Sequence, residues 1–224
     1  MRIFRPILSD KLNQVFGESK ACIDDRGKVT AKVNDKCISG SQSLYEKLGL
    51  KAHNGYDHRT WYGEPVYHSA EFNGWMKTEV DSAGGIGVDV VSNEPILKCT
   101  EPNCNEIHYI KIRYWHGKEV IGFDRKEIRE GDMIMLADNT GLSSGTHLHW
   151  SPKWCNKEGR GIHRNNGYYG AFDVTPYYDN EFVLIVKAIR IEVLNITHLV
   201  RIIIDAIFRW LNGQKVGSIG VKNL

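Results

Sequence analysis

Ile107-His108-Tyr109-Ile110-Lys111-Ile112-Arg113-Tyr114 is the stretch that decides the fold class. In an extended chain successive side chains point to opposite faces, so Ile110, Ile112 and Tyr114 share one face and Tyr109, Lys111 and Arg113 the other. That alternation predicts a half-buried strand. The same texture extends outward through Glu64-Pro65-Val66-Tyr67-His68, Ile86-Gly87-Val88-Asp89-Val90-Val91 and Met133-Ile134-Met135-Leu136. Frequent Gly, Asn, Asp and Pro separate these runs as far as Tyr178, a pattern of short strands joined by turns. The expectation is antiparallel β structure.

After Tyr178 the texture changes. Residues 181–211 contain no Gly or Pro. Lys187, Arg190, His198, Arg201, Asp205, Arg209 and Asn212 recur at helical spacings, leaving Ile189, Ile196, Leu199, Val200, Ile203, Ile207, Trp210 and Leu211 on the other side. This predicts an amphipathic helix with a wide apolar face. Its first part, Phe182-Val183-Leu184-Ile185-Val186, also suits a closing strand, because β-branched residues dominate it. The expected organisation is a main domain over residues 1–180, a strand and helix over 181–212, and a loose tail over 213–224. A polar stretch within residues 18–44 carries Cys22 and Cys37 and reads as a loop or small hairpin decorating the core.

The chain has 224 residues, enough for one full hydrophobic core and an appendage. A hydrophobic share of 42% with 25% charged residues is that of an ordinary globular chain and excludes disorder or a fibrous repeat. The net charge of +2 is too small to imply a nucleic-acid partner, and the pI near 8.2 gives only mild attraction to anionic polymers. Met1-Arg2-Ile3-Phe4-Arg5-Pro6-Ile7-Leu8-Ser9-Asp10 has too short an apolar run for a signal peptide, so export by that route is not expected. No window reaches about 18 consecutive apolar residues, so no transmembrane helix is expected. Five cysteines, Cys22, Cys37, Cys99, Cys104 and Cys155, are odd in number and sparse, which does not describe a disulfide-built scaffold.

Two motifs place metal-ligand side chains at meaningful spacings: His53-Asn54-Gly55-Tyr56-Asp57 and His147-Leu148-His149. Strand alternation sends His147 and His149 to one face. Asn54-Gly55 is a turn signal, so His53 and Asp57 are expected to converge from a loop or bulge rather than along a helix. Imidazole and carboxylate suit zinc, and a catalytic zinc site takes three protein ligands with one position open. His53, Asp57 and one histidine of the HxH pair supply three. The spare histidine is then placed as a general base, and His116, beyond Arg113-Tyr114-Trp115, is a further candidate.

These motifs resemble the lysostaphin-type (M23) zinc metallopeptidases, whose pattern is HxxxD followed much later by HxH. The histidine ending Tyr114-Trp115-His116, the glycine-containing loop from Ala137 to Thr146, Phe172-Asp173-Val174-Thr175-Pro176-Tyr177-Tyr178, Val15-Phe16-Gly17 and Gly63-Glu64-Pro65-Val66 all look like landmarks of that family. The resemblance runs over roughly residues 8–178. It implies zinc ligands His53, Asp57 and His149, a catalytic pair His116 and His147, and a small antiparallel or sandwich-like β core with the site in a groove. It also implies hydrolysis of peptide cross-links or stem peptides of bacterial peptidoglycan. Insertions at residues 95–105 and 154–169 depart from the pattern and bear on groove shape. Without a signal peptide, such an enzyme is expected to reach the wall through a lysis machinery or as part of a virion, and a cellular enzyme exported by another route stays open beside these. Two alternatives stand beside it: a phage tail or lysis structural component, and a non-enzymatic wall binder or activator. For the C-terminal helix the open readings are packing, self-association, phage assembly and contact with a membrane surface.

The remaining histidines, His58, His68, His108, His163 and His198, are read as satisfied polar residues. Cys99, Glu101 and Cys104 with His108 suggest half a zinc knuckle, but the spacing is not C-x2-C and no second pair follows. A hairpin tip or local disulfide is expected there instead. Trp61 and Tyr62 follow HxxxD closely, and groove lining and core packing are equally open for them.

Overall fold

The computed structural model describes residues 1–211, so the expected tail lies outside the described residues. The chain divides into two units, Met1–Val183 and a second beginning at Leu184. In chain order the elements are β1 (Ile3–Arg5), β2 (Leu12–Gln14), β3 (Ala21–Asp24), β4 (Val29–Ala31), β5 (Ser41–Ser43), α1 (Leu44–Lys47), β6 (Tyr56–Arg59) and β7 (Pro65–Tyr67). There follow β8 (Gly74–Asp81), β9 (Gly85–Ser92), β10 (Leu97–Lys98), β11 (Ile107–Val120), β12 (Glu127–Ile128), β13 (Met133–Ala137), β14 (His147–Cys155), β15 (Tyr178–Phe182) and α2 (Val183–Leu211).

The architecture is mainly β, but it is not a small sheet or a sandwich. One antiparallel sheet of ten strands dominates, with the path β12-β8-β9-β11-β14-β6-β2, to which β10, β13 and β7 attach. The reason lies in β11. Its 14 residues offer both edges to partners, β9 on one side and β14 on the other, and its far half also pairs with β13. Extra segments therefore extend one ladder instead of forming a second facing sheet. The 95–105 insertion contributes β10 to it.

Ile110, Ile112 and Tyr114 of β11 are fully buried with Val88, Val90, Leu148, Trp150, Met76 and Ile134. Each such aliphatic or aromatic side chain contributes about 1.5–3 kcal/mol through removal from water. The opposite face was expected to be solvated, yet Lys111 is buried as well. Asp89 of β9 reconciles that charge with burial. Its carboxylate accepts Lys111 Nζ at 2.6 Å and a two-pronged bond from Arg113, Nε at 2.7 Å and Nη2 at 2.8 Å. Lys111 also donates to the Gly159 carbonyl at 3.0 Å, so the loop after β14 roofs this face. Burial by itself would raise the Asp89 pKa, but the Arg113 and Lys111 charges overcome it and hold the carboxyl at about 2.

Residues 18–44 form more than a hairpin. They make a three-stranded sheet ordered β4-β3-β5, closed by a Cys22–Cys37 disulfide. Cys155 is a buried free thiol, its pKa pushed up to about 12 by burial. At the end of the first unit β1 and β15 pair in parallel. The strand alternative for residues 182–186 is thereby corrected: β15 stops at Phe182 and the helix begins at Val183. Propensity is a weak prior, and β-branched residues join a helix when an uninterrupted run follows them. Among the described residues no helix is long and apolar enough to cross a membrane.

Candidate metal centre

Strand register brings the two motifs together. β6 pairs antiparallel with β14 so that Asp57 lies directly opposite His149, and His58 opposite Leu148. Directly opposed residues project to the same face, which explains how a carboxylate and an imidazole 92 positions apart meet. His53 precedes β6, in the loop that the Asn54-Gly55 signal predicted.

The ligand atoms face one another. His53 Nε2 lies 2.9 Å from His149 Nδ1 and 3.1 Å from Asp57 Oδ1, and His149 Nδ1 lies 3.0 Å from Asp57 Oδ1. Ideal tetrahedral ligation at about 2.0–2.1 Å would separate such atoms by about 3.3 Å. His53 Nδ1–H donates to the Val15 carbonyl at 3.1 Å, which leaves the lone pair of Nε2 aimed at the cluster. Burial lowers the His149 pKa to about 4 against the pull of Asp57, so this ring is neutral near pH 7. Burial opposes ionisation of Asp57, but His53, His149 and His147 around it keep its pKa well below the ordinary carboxylate value. Three lone-pair donors, His53 buried and Asp57 and His149 partly buried, converge in a cluster that a cation would complete. The residues present fit zinc.

Gly55 permits the approach. A Cβ there would stand 2.5 Å from the Trp150 carbonyl oxygen and 2.7 Å from His149 Cε1. Tyr56 packs on Trp150 with ring centroids 4.8 Å apart and donates its hydroxyl to Asp173 at 2.8 Å. The Asp173-Val174-Thr175 landmark thus braces the strand that carries Asp57.

His147 and His116 stand beside the three donors. His147 Nε2 is 3.8 Å from Asp57 Oδ1, and the His147 and His116 ring centroids are 4.4 Å apart. His116 sits where the β11–β9 register slips, with a positive φ of 64°, a rare conformation for a residue with a side chain. The bulge turns its ring toward the cluster. Burial, reinforced by His147 and His149, lowers its pKa to about 3. Each ring is oriented by the 137–146 loop: His116 Nδ1–H donates to the Thr140 carbonyl at 2.6 Å and His147 Nδ1–H to the Gly145 carbonyl at 2.8 Å. Both tautomers follow, since a carbonyl can only accept, and both Nε2 atoms carry lone pairs. Thr140 was not singled out from the sequence, because a backbone carbonyl that aims a histidine leaves no residue-type signal.

All five sequence-derived residues therefore line one cleft of about 460 Å³. Its lining includes Leu44, Tyr45, Trp115 and Leu142. Trp61 and Tyr62 are exposed, which excludes core packing, and neither lines this cleft. His68 is a satisfied core residue, contacting Tyr114 Oη at 3.3 Å and the Phe72 carbonyl at 3.1 Å.

Neither a protein-family model nor a curated protein matches the chain. Solved structures do show likeness. The catalytic domain of the antimicrobial peptidase lysostaphin from Staphylococcus simulans is 19% identical, with 57% of this chain and 79% of that one covered at a TM-score of 0.42. A zinc-containing peptidase from Vibrio cholerae is 19% identical over 72% of this chain and 39% of that one, TM-score 0.44. Csd3 of Helicobacter pylori is 12% identical over 90% and 44%, TM-score 0.42. These likenesses are partial, and the functional reading rests on the side chains.

Proposed function

We propose that this chain is a zinc metalloendopeptidase of the lysostaphin (M23) type that hydrolyses peptide cross-links or stem peptides of bacterial peptidoglycan. One observation carries the reading: His53 Nε2, Asp57 Oδ1 and His149 Nδ1 lie within 3.1 Å of one another in the lining of a cleft that also holds His116 and His147. Three ligands that leave a side open, with bases beside it, are the arrangement of a catalytic rather than a structural centre. Bound zinc supplies Lewis acidity, polarising a carbonyl and acidifying water.

The chain's own residues do the rest. His147, held through its Nδ1–H, presents Nε2 to take a proton from an attacking water and return it to the leaving amine. His116, neutral at physiological pH and held at Thr140, presents the lone pair of Nε2 to the same space, where it accepts a hydrogen bond from the attacking water and orients it. The walls of the cleft, with Tyr45 and Trp115, position an extended peptide. The wall substrate follows from the resemblance of the motifs, and the complete donor set speaks against a non-enzymatic binder. Delivery to the wall by host lysis or on a virion belongs to the same proposal, as does self-association, phage assembly or membrane-surface contact through α2.

The test is incubation of the zinc-loaded protein with peptidoglycans of different cross-link chemistry, with and without chelator, and identification of products by mass. Chelator-sensitive release of peptides with new amino termini is expected. Peptidoglycan left intact by the zinc-loaded chain would overturn the proposal.

A further inference from the structure

Cys99, Cys104, His108 and His163 bring four metal-ligand atoms within 4.8 Å of one another, on the far part of the sheet from the catalytic cleft. Cys99 follows β10, His108 lies on β11, and Cys104 lies in the turn between them, while His163 comes from the loop after β14, 59 positions beyond Cys104. The fourth donor missing from the sequence reading is thus supplied by the fold. Cys104 Sγ is 3.2 Å from His108 Nε2 and 3.6 Å from His163 Nε2, and Cys99 Sγ is 3.5 Å from His163 Nε2. A tetrahedral zinc with Zn–S of about 2.3 Å and Zn–N of about 2.0–2.1 Å would set sulfur and nitrogen ligands about 3.6 Å apart.

The sulfurs of Cys99 and Cys104 are joined in this structure. A disulfide, however, requires neither imidazole, and here two converge on the same pair of sulfurs. We propose that the dithiol form of Cys99 and Cys104, with His108 and His163, binds a structural zinc ion. Binding forms two Zn–S and two Zn–N bonds and releases the two thiol protons, with no electron transfer. Four protein ligands close the coordination shell, so this zinc is structural rather than hydrolytic. The four residues between Cys99 and Cys104 fall within the range that structural zinc sites use.

Such an ion has a clear mechanical role. It fastens the 95–105 insertion to the 154–169 insertion, which also meet where Asn166 Nδ2 donates to Glu101 Oε1 at 2.9 Å. The second insertion then returns to the cleft through Tyr169, whose hydroxyl donates to the Leu48 carbonyl at 2.7 Å. A zinc at this staple holds one wall of the substrate groove in place.

The full chain, produced with zinc and without oxidant, is expected to hold two zinc ions, falling to one in His163→Ala and to one in His149→Ala. Cobalt(II) added to the reduced apo chain is expected to give thiolate-to-cobalt charge-transfer absorption that persists in His149→Ala and is lost in Cys104→Ser. The catalytic cluster has no sulfur ligand, so this band reads the second site alone and survives a failure of the catalytic reading. Wild-type protein that holds a single zinc, shows no such band and has Cys99 and Cys104 joined by mass analysis would overturn the proposal.

Discussion

Gly55→Ala should separate ligand placement from ligand chemistry, because it touches none of the five site side chains chemically. The new Cβ would stand 2.7 Å from His149 Cε1 and 2.5 Å from the Trp150 carbonyl, where ordinary contact begins at 3.4 Å. Relief requires movements of about 0.7 and 0.9 Å, the differences between those contacts and 3.4 Å. Neither neighbour yields freely: the carbonyl belongs to β14, and the His149 ring faces Asp57 and His53. A metal site tolerates about 0.2 Å in its ligand distances, so the displacement is several times the tolerance. We expect zinc affinity to fall by about 10–100-fold, equivalent to about 1.4–2.8 kcal/mol, with an overpacking cost of about 1–3 kcal/mol in the apo protein. The assay is competition against a chromogenic chelator in a Cys104→Ser background, so that one centre is read, beside thermal unfolding of the apo forms. Gly161→Ala is the control, since a Cβ there meets nothing closer than 3.8 Å. Zinc affinity within twofold of the parent, in a folded Gly55→Ala protein, would refute the reasoning.

Other substitutions divide the remaining roles. His147→Ala should retain zinc at the catalytic centre by metal analysis while kcat falls by about 10²–10⁴, whereas His149→Ala should lose that zinc together with all turnover. Asp89→Asn removes the counter-charge of the buried Lys111 and the half-buried Arg113 and should cost about 2 kcal/mol in urea unfolding near neutral pH, with no change in zinc content. In the wild type the Asp89 pKa of about 2 lies below the ordinary 3.8, so its contribution is complete above about pH 4 and disappears as pH falls toward 2. That contribution is worth about 2 kcal/mol, and acid unfolding curves that coincide for wild type and Asp89→Asn below pH 2 but diverge above pH 4 are the expected signature. Cys37→Ser opens a loop of 15 residues and should cost about 3 kcal/mol, read as a lowered Tm that reductant reproduces in the parent protein.

The alternation around Ile110, Ile112 and Tyr114 and the two histidine motifs were legible because periodicity and spacing are local properties. A two-residue step along a strand puts His147 and His149 on one face whatever the rest of the chain does. The sequence alone therefore determined the β class, five side chains that line one cleft and the helix after Tyr178. It did not determine that Lys111 would be buried with Asp89, since burial of a polar face depends on a roof supplied by a distant loop. Nor did it determine that Asp57 lies opposite His149, that a bulge aims His116, or that Thr140 and Gly145 set the tautomers, for register and backbone carbonyls leave no mark in residue type. The size of the sheet and the meeting of His163 with Cys99, Cys104 and His108 were likewise decisions of tertiary structure. Contacts between segments tens of residues apart are set by the packing of the whole sheet, and only the folded chain brings those atoms within bonding reach.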